Sequence, residues 1–156
     1  TGLVIYDTYT QFSLFGQIVI LVLIQIGGLG FITVSMFFLL IIGRKINIRG
    51  RSLLMESVNK PHIGGVVRLV KRILFITLVL ELLGAVLLYI RFAPSMGTSK
   101  GAYFGVFHAV SAFCNAGFDL MGTIEPYTSL APFRGDMTVN LVVVLLIILG
   151  GIGFIV

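Results

Sequence analysis

The chain is 156 residues long, 58% hydrophobic and only 11% charged, with a formal net charge of +5. A soluble domain carries about a quarter of its residues charged, so this composition excludes an ordinary water-soluble globule and indicates an integral helical membrane protein. One cysteine, Cys114, excludes an internal disulfide, and no nucleophile–base pair, metal cluster or phosphate loop supports enzyme chemistry.

Taken in order, the chain begins at Thr1, already apolar and without a methionine, and ends at Val156 inside an apolar run. It therefore reads as an internal piece of a longer polypeptide. Residues 1–11 form an outer connection, and the first long apolar segment follows at 12–43. At about 1.5 Å per residue that segment exceeds the ~30 Å hydrocarbon core. It must tilt, project into the cytoplasm, or bend at Gly27-Gly28-Leu29-Gly30. Eight of the 11 Lys and Arg lie between Arg44 and Arg72, offset only by Glu56, so the loop at 44–65 is expected to be cytoplasmic. Topology alone accounts for that basic loop, which could also contact anionic lipid or a soluble partner. A second apolar segment covers 66–92 and a third covers 137–156.

Between them, residues 93–136 are too apolar for an exposed loop. Gly101 to Cys114 reads as a short helix: Ser99 can cap it, and Tyr103, Phe104, Phe107, Val110, Ser111 and Cys114 keep helical spacing. It is too short to cross a bilayer, which suits a re-entrant segment better than an interfacial helix. Two Gly-rich joints, Asn115–Phe118 and Gly150–Gly153, then fall at membrane depth, where non-helical backbone must be buried or line water. Pro126 and Pro132 mark an extended surface linker.

The chain repeats itself. "LIQIGGLGF", from Leu23 to Phe31, returns as "LIILGGIGF", from Leu146 to Phe154, and each copy follows a small-residue turn, Thr1-Gly2-Leu3 or Ala116-Gly117-Phe118. With the basic loop inside, both copies run inward, so they are parallel repeats about an axis along the membrane normal. The expected fold is all-α and integral to the membrane: tandem helix–re-entrant pore helix–helix units, partly present, around a cation pore. A half-helix aims about half a negative charge at the centre, and the peptide oxygens after it can replace a cation's hydration shell.

"TGLVIYD", "FSLFGQ", "IQIGGLGF", "FHAVSAFCNAGFDL" and "GGIGF" together resemble the Ktr/Trk/HKT superfamily of potassium transporters, and within it the bacterial Ktr-type membrane subunit. The resemblance implies four concatenated units around one pore, each with a short filter bearing a key glycine. On that pattern Thr1, Gly2 and Leu3 end the first filter, 12–43 is its inner helix, and 66–156 forms unit two, with filter Asn115, Ala116, Gly117 and Phe118. These seven residues would hold K⁺ through backbone carbonyls, with no covalently bound cofactor and possible use of Na⁺ as co-ion. Units three and four, their gating loop and the start of unit one are not in this chain. The resemblance further implies a homodimer in the cell membrane, a cytoplasmic nucleotide-binding regulatory subunit, lipid contact and no nucleic acid. Other classes would be a broken-helix secondary transporter coupled to protons or sodium through Glu81, which the parallel repeat argues against, or a non-transporting scaffold subunit.

The remaining polar residues have two readings each. Mid-span Glu81 could serve the ion path, but the preferred reading is a hydrogen-bonded tie from its helix to the back of a pore helix. His108 reads as a neutral imidazole bonded to a neighbour, since no second His or Cys accompanies it. Gln25 could line the path or bond between helices. Asp7 and Asp119 could concentrate cations at the mouth, with the preferred reading of Asp119 being an acceptor of loop N–H groups.

Overall fold

A computed structural model describes residues 4–30 and 63–152, with side chains from residue 71 onward in the second range. Every regular element among the described residues is helical. They are α1 (Thr8–Gln11), α2 (Leu14–Leu29), α3 (Ile63–Met96), α4 (Thr98–Phe113) and α5 (Met137–Ile152), with 3-10 turns at Met121–Thr123 and Ala131–Phe133. The chain divides into two compact units, residues 1–28 with 79–156, and residues 29–78. The second is described only at Leu29, Gly30 and the first turns of α3. The predicted filter residues Thr1, Gly2 and Leu3, most of the basic loop at 44–65, and Gly153 and Phe154 lie outside the described residues.

Polarity is inverted relative to a soluble protein. Leu82, Leu83, Val86, Leu87 and Ile90 of α3 face outward, as do Leu14, Phe15, Val22 and Leu23 of α2 and Leu141, Val144 and Leu145 of α5. Gln17, Glu81, His108 and Ser111 are buried. An apolar exterior over a polar-seeded interior is stable when the surroundings are hydrocarbon. Within α3, Lys71–Met96 is long and apolar enough to cross a membrane, about 39 Å at 1.5 Å per residue against a core of ~30 Å.

Lipid tails are as apolar as leucine, so close backbone approach must hold such helices together. Gly101 and Gly105, one helical turn apart on α4, supply it. A Cβ on Gly105 would lie 2.7 Å from the Ala85 carbonyl oxygen, and one on Gly101 would lie 2.8 Å from the Ala93 backbone. Over that contact Phe92, Phe104, Phe107 and His108 stack edge-on, with Phe133 4.9 Å from Phe92 between ring centroids.

Several boundaries depart from the expectations above. The connection was expected to open at residue 93, yet α3 runs on through Pro94 to Met96 and stops only where Gly97 takes φ +84°, a left-handed turn open to glycine. The cap expected from Ser99 is not made: Ser99 lies inside α4, whose N-cap is Gly97, without a side-chain bond. The linker marked by Pro126 and Pro132 lies at the surface, with both prolines exposed, but it is interrupted by a 3-10 turn, and Leu120, Met121 and Gly122 just before it are buried. Gly150 and Gly151 are helical residues of α5, and Gly27 and Gly28 are helical residues of α2, which ends at Leu29; the turn falls at Gly30, at φ +80°, within the stretch where a bend was expected.

Asp7 has a different role from the cation-gathering one considered for it. It is buried and caps α1, its Oδ1 accepting from Tyr9 N–H (3.1 Å), Thr10 N–H (2.8 Å) and the Thr10 hydroxyl (2.9 Å). Its Oδ2 accepts from Tyr127 N–H at 3.2 Å, which fastens the linker to the outer end of the chain. Burial pushes this carboxyl up, but the hydrogen bonds, those from Thr10 and Tyr127 foremost, hold it below the ordinary carboxylate value. The folded state therefore binds the proton less tightly than the unfolded state does. The stability contributed by Asp7 is complete above about pH 4 and is lost as pH falls through the depressed value. Asp7→Ala is expected to cost about 1 kcal/mol, as for other lost N-caps, and to flatten the acid limb of a thermal-melt series on the detergent-solubilised protein.

At the opposite side of the linker, Asp136 caps α5 through Thr138 N–H (3.0 Å) and Val139 N–H (3.2 Å). Arg91 of α3 donates to it at 2.7 Å and holds its carboxyl below the usual range. Both linker ends are thus pinned by an acid used as a cap.

Candidate functional site

The site is built at the C-terminal end of α4. This helix has 16 residues, more than half of them buried, and its end meets α2 at Gly28 and α5 at Gly150. At ~1.5 Å per residue it is about 24 Å long, short of a full crossing. After Phe113 the backbone unwinds. Cys114 N–H still reaches Val110 O (2.9 Å) and Asn115 N–H reaches Ala112 O (3.1 Å), then Ala116 N–H returns to Ser111 O (2.9 Å). Asn115 takes φ +54° and Gly117 φ +75°. Asparagine is among the few side-chain-bearing residues that tolerate this region, and glycine enters it freely.

After these two left-handed residues the chain continues as a short strand of irregular backbone, Ala116 to Leu120, outside any helix. Its far end is anchored by Ser111, whose hydroxyl donates to the Phe118 carbonyl at 2.5 Å. Asn115 anchors the near end by donating its Nδ2 to Ile147 O of α5 at 3.3 Å. Among the described residues no hydrogen bond ends on the carbonyl oxygens of Asn115, Ala116 or Gly117. Three peptide oxygens are therefore free beside the negative end of the α4 dipole, while Phe118 O is already engaged. A cavity of about 220 Å³ borders the strand, lined in part by His108, Ser111, Gly117, Phe118 and Asp119.

Neighbouring side chains hold this arrangement. His108 Nδ1 lies 2.7 Å from Phe104 O, and Leu120 N–H donates to Nε2 at 3.3 Å. A backbone N–H can only donate, so Nε2 is the acceptor, the proton sits on Nδ1 and the ring is neutral. Asp119 accepts from Met121 N–H at 2.9 Å, the preferred reading of that residue. Glu81 does not tie to a pore helix. Its partner is Gln25 of α2, whose Nε2 lies 3.0 and 3.1 Å from the two carboxylate oxygens.

Two contacts were not anticipated from sequence. A Cβ on Gly28 would overlap the Cys114 side chain, and one on Gly150 would overlap the Phe113 carbonyl. The repeated Gly-Gly doublets are seats for the foot of α4, one in each long helix, and the second copy uses the other glycine of its pair. The repeat itself signalled them; their helical conformation did not follow from it. Ser111 was recognised only as part of a helical stripe, since a hydroxyl on such a stripe carries no sign of its partner.

Residues 1–156 match the TrkH family, described as a cation transport protein. The chain belongs to the TrkH cation transport family. It is similar to the Ktr system potassium uptake protein B of Bacillus subtilis (strain 168), 49% identical over 154 residues. It also resembles the potassium/sodium uptake protein NtpJ of Enterococcus hirae (42% over 156 residues) and the Ktr system potassium uptake protein D of Bacillus subtilis (38% over 155 residues). These alignments cover 99%, 100% and 99% of the chain and 34%, 34% and 33% of the respective relatives, so the chain spans about a third of their length. TrkH membership makes it a membrane protein of a transport family, not of an enzyme family.

Proposed function

We propose that this chain is the end of unit one and most of unit two of a potassium-uptake subunit, and that it selects K⁺ through filter carbonyls. The observation that supports this most is the strand after α4: two residues at positive φ, Asn115 and Gly117, with three unpaired peptide oxygens at the negative end of a short buried helix. Neutral carbonyl dipoles strip and replace a monovalent cation's water without trapping it, as an all-carboxylate cage would. Asn115, Ala116 and Gly117 supply the ligands here, with Phe118 braced by Ser111, and Thr1, Gly2 and Leu3 supply the equivalent segment of unit one. Na⁺ is the natural competitor or co-ion; the Enterococcus hirae relative is named a potassium/sodium uptake protein.

On this reading the working molecule needs the remaining units of the same polypeptide. It sits in the cell membrane as a multi-pass protein with residues 44–65 cytoplasmic, as a homodimer with a nucleotide-binding regulatory subunit on that face. The test is complementation: the full-length protein should restore growth at low external potassium to a strain lacking its own uptake systems. Growth that still requires high potassium, with the protein present in the membrane, overturns the assignment.

Asp119 stands at the strand's outer end with one hydrogen bond to Met121 N–H, so its charge can still act on the mouth. Asp119→Asn is expected to raise the apparent KM for K⁺ severalfold while leaving the preference for K⁺ over Na⁺ intact, measured as competing tracer uptake. A collapse of preference at unchanged KM would instead make Asp119 a selecting group.

A further inference from the structure

Four contacts around the foot of α4 form one connected set. Gln25 and Gly28 are one turn apart on α2; Gln25 meets Glu81 of α3, and Gly28 receives the Cys114 side chain. Glu81 and Gly84 are one turn apart on α3, and a Cβ on Gly84 would lie 2.7 Å from Leu146 Cδ1 of α5. Leu146 is one turn before Gly150, which receives the Phe113 carbonyl. The Gln25–Glu81 pair is the one hydrogen bond between side chains among these four contacts.

Its chemistry is unusual. Glu81 is buried in an apolar span, and among the described residues no cation pairs with it. Gln25 Nε2 is nearly equidistant from both carboxyl oxygens, while Gln25 Oε1 is buried without a partner. An ionised carboxylate offers only acceptors, so it leaves Oε1 unsatisfied and an uncompensated charge at membrane depth. A protonated Glu81 supplies the one missing donor: with a small turn of the amide, O–H meets Oε1 and N–H meets the acid carbonyl, closing a ring of two hydrogen bonds.

We propose that Gln25 and Glu81 form a neutral acid–amide clamp that sets how α2 seats the foot of α4, making both of them positioning residues for the filter at Asn115–Gly117. The proposal rests on the filter reading above. It assigns Glu81 no place in the ion path, and it makes the pair's complementarity, not its charge, the property that matters.

The test uses the full-length transporter, scoring membrane abundance and the ratio of K⁺ to Na⁺ uptake. Glu81→Gln keeps both hydrogen bonds as an amide–amide pair and should resemble the unaltered protein. Glu81→Ala should lower the ratio about tenfold, the worth of one strong interhelical hydrogen bond in a membrane. Gln25→Glu makes a pair of acids that share one proton near neutral pH and so leave a charge at membrane depth, and should be impaired as well; Gln25→Glu combined with Glu81→Gln restores the neutral acid–amide pair and should recover the ratio. Because the combined variant is judged against its own single change, the result stands even if Glu81→Ala fails to accumulate. The clamp is overturned if Glu81→Gln behaves like Glu81→Ala, or if the swap recovers nothing. Gly117→Ser measured alongside separates the two readings. An unchanged ratio there overturns the filter itself, whereas a changed ratio there with an unaffected Glu81→Ala overturns only the clamp.

Discussion

Gly117→Ser in the full-length protein is expected to lower discrimination between potassium and sodium about tenfold while leaving most of the protein in the membrane. Gly117 holds φ +75°, and a side-chain-bearing residue there costs about 1–2 kcal/mol through the contact of Cβ with its own carbonyl oxygen. The chain relieves that cost by rotating the peptide planes on either side, and those planes carry the Ala116 and Gly117 oxygens. An ion that exchanges water for carbonyls is sensitive to their number and direction, so a modest rotation falls on the discrimination between ions. A strain of this size converts to roughly a tenfold change in a ratio of affinities. Folding tolerates it, because the strand is anchored on both sides by Ser111 to Phe118 O and by Asn115 to Ile147 O. Competing uptake of the two ions is the measurement. An unaltered ratio would remove Gly117 from the selecting machinery.

The second large effect separates two adjacent glycines. A Cβ on Gly150 would overlap the Phe113 carbonyl oxygen, a backbone atom of a buried residue at the end of α4. The overlap can be relieved only by moving α4 away from α5, and overpacking of that kind typically costs about 1–3 kcal/mol. Gly150→Ala should therefore reduce the melting temperature of the solubilised protein and depress uptake of both ions together. Gly151→Ala is the control: its Cβ would meet only Asn115 Nδ2, at 3.7 Å, an ordinary contact. It should behave much like the unaltered chain. Equal damage from both substitutions would mean that the doublet acts through helix flexibility and not through the seat it offers to Phe113.

Much of the architecture was legible because lipid imposes it locally. Transfer of a segment into hydrocarbon depends on its own composition, so the apolar runs at 66–92 and 137–156 mark α3 and α5 without knowledge of any neighbour. The short helix was legible for the same reason, as was the break at Asn115–Phe118, where small residues follow a helical stripe. Ends were less legible. Pro94 forbids a hydrogen bond to the turn before it but not the turn itself, so α3 outlasts it and yields only to the left-handed Gly97.

The sequence by itself determined a membrane protein with a repeated glycine doublet and a glycine-bearing turn after a half-length helix, because those are properties of single segments. Only the tertiary structure decided what the polar residues do. Asp7 looks like a mouth acid until Tyr127 arrives on it from the far linker; Glu81 reads from sequence as a hydrogen-bonded tie between helices, but that its partner is Gln25 of α2 is visible only in space. A hydrogen-bond partner is a fact about convergence in space, and no spacing along the chain encodes which distant residue will be there. The same holds for the doublets, which are helical sites of close approach, a role that needs the opposing carbonyl of Phe113 to be seen.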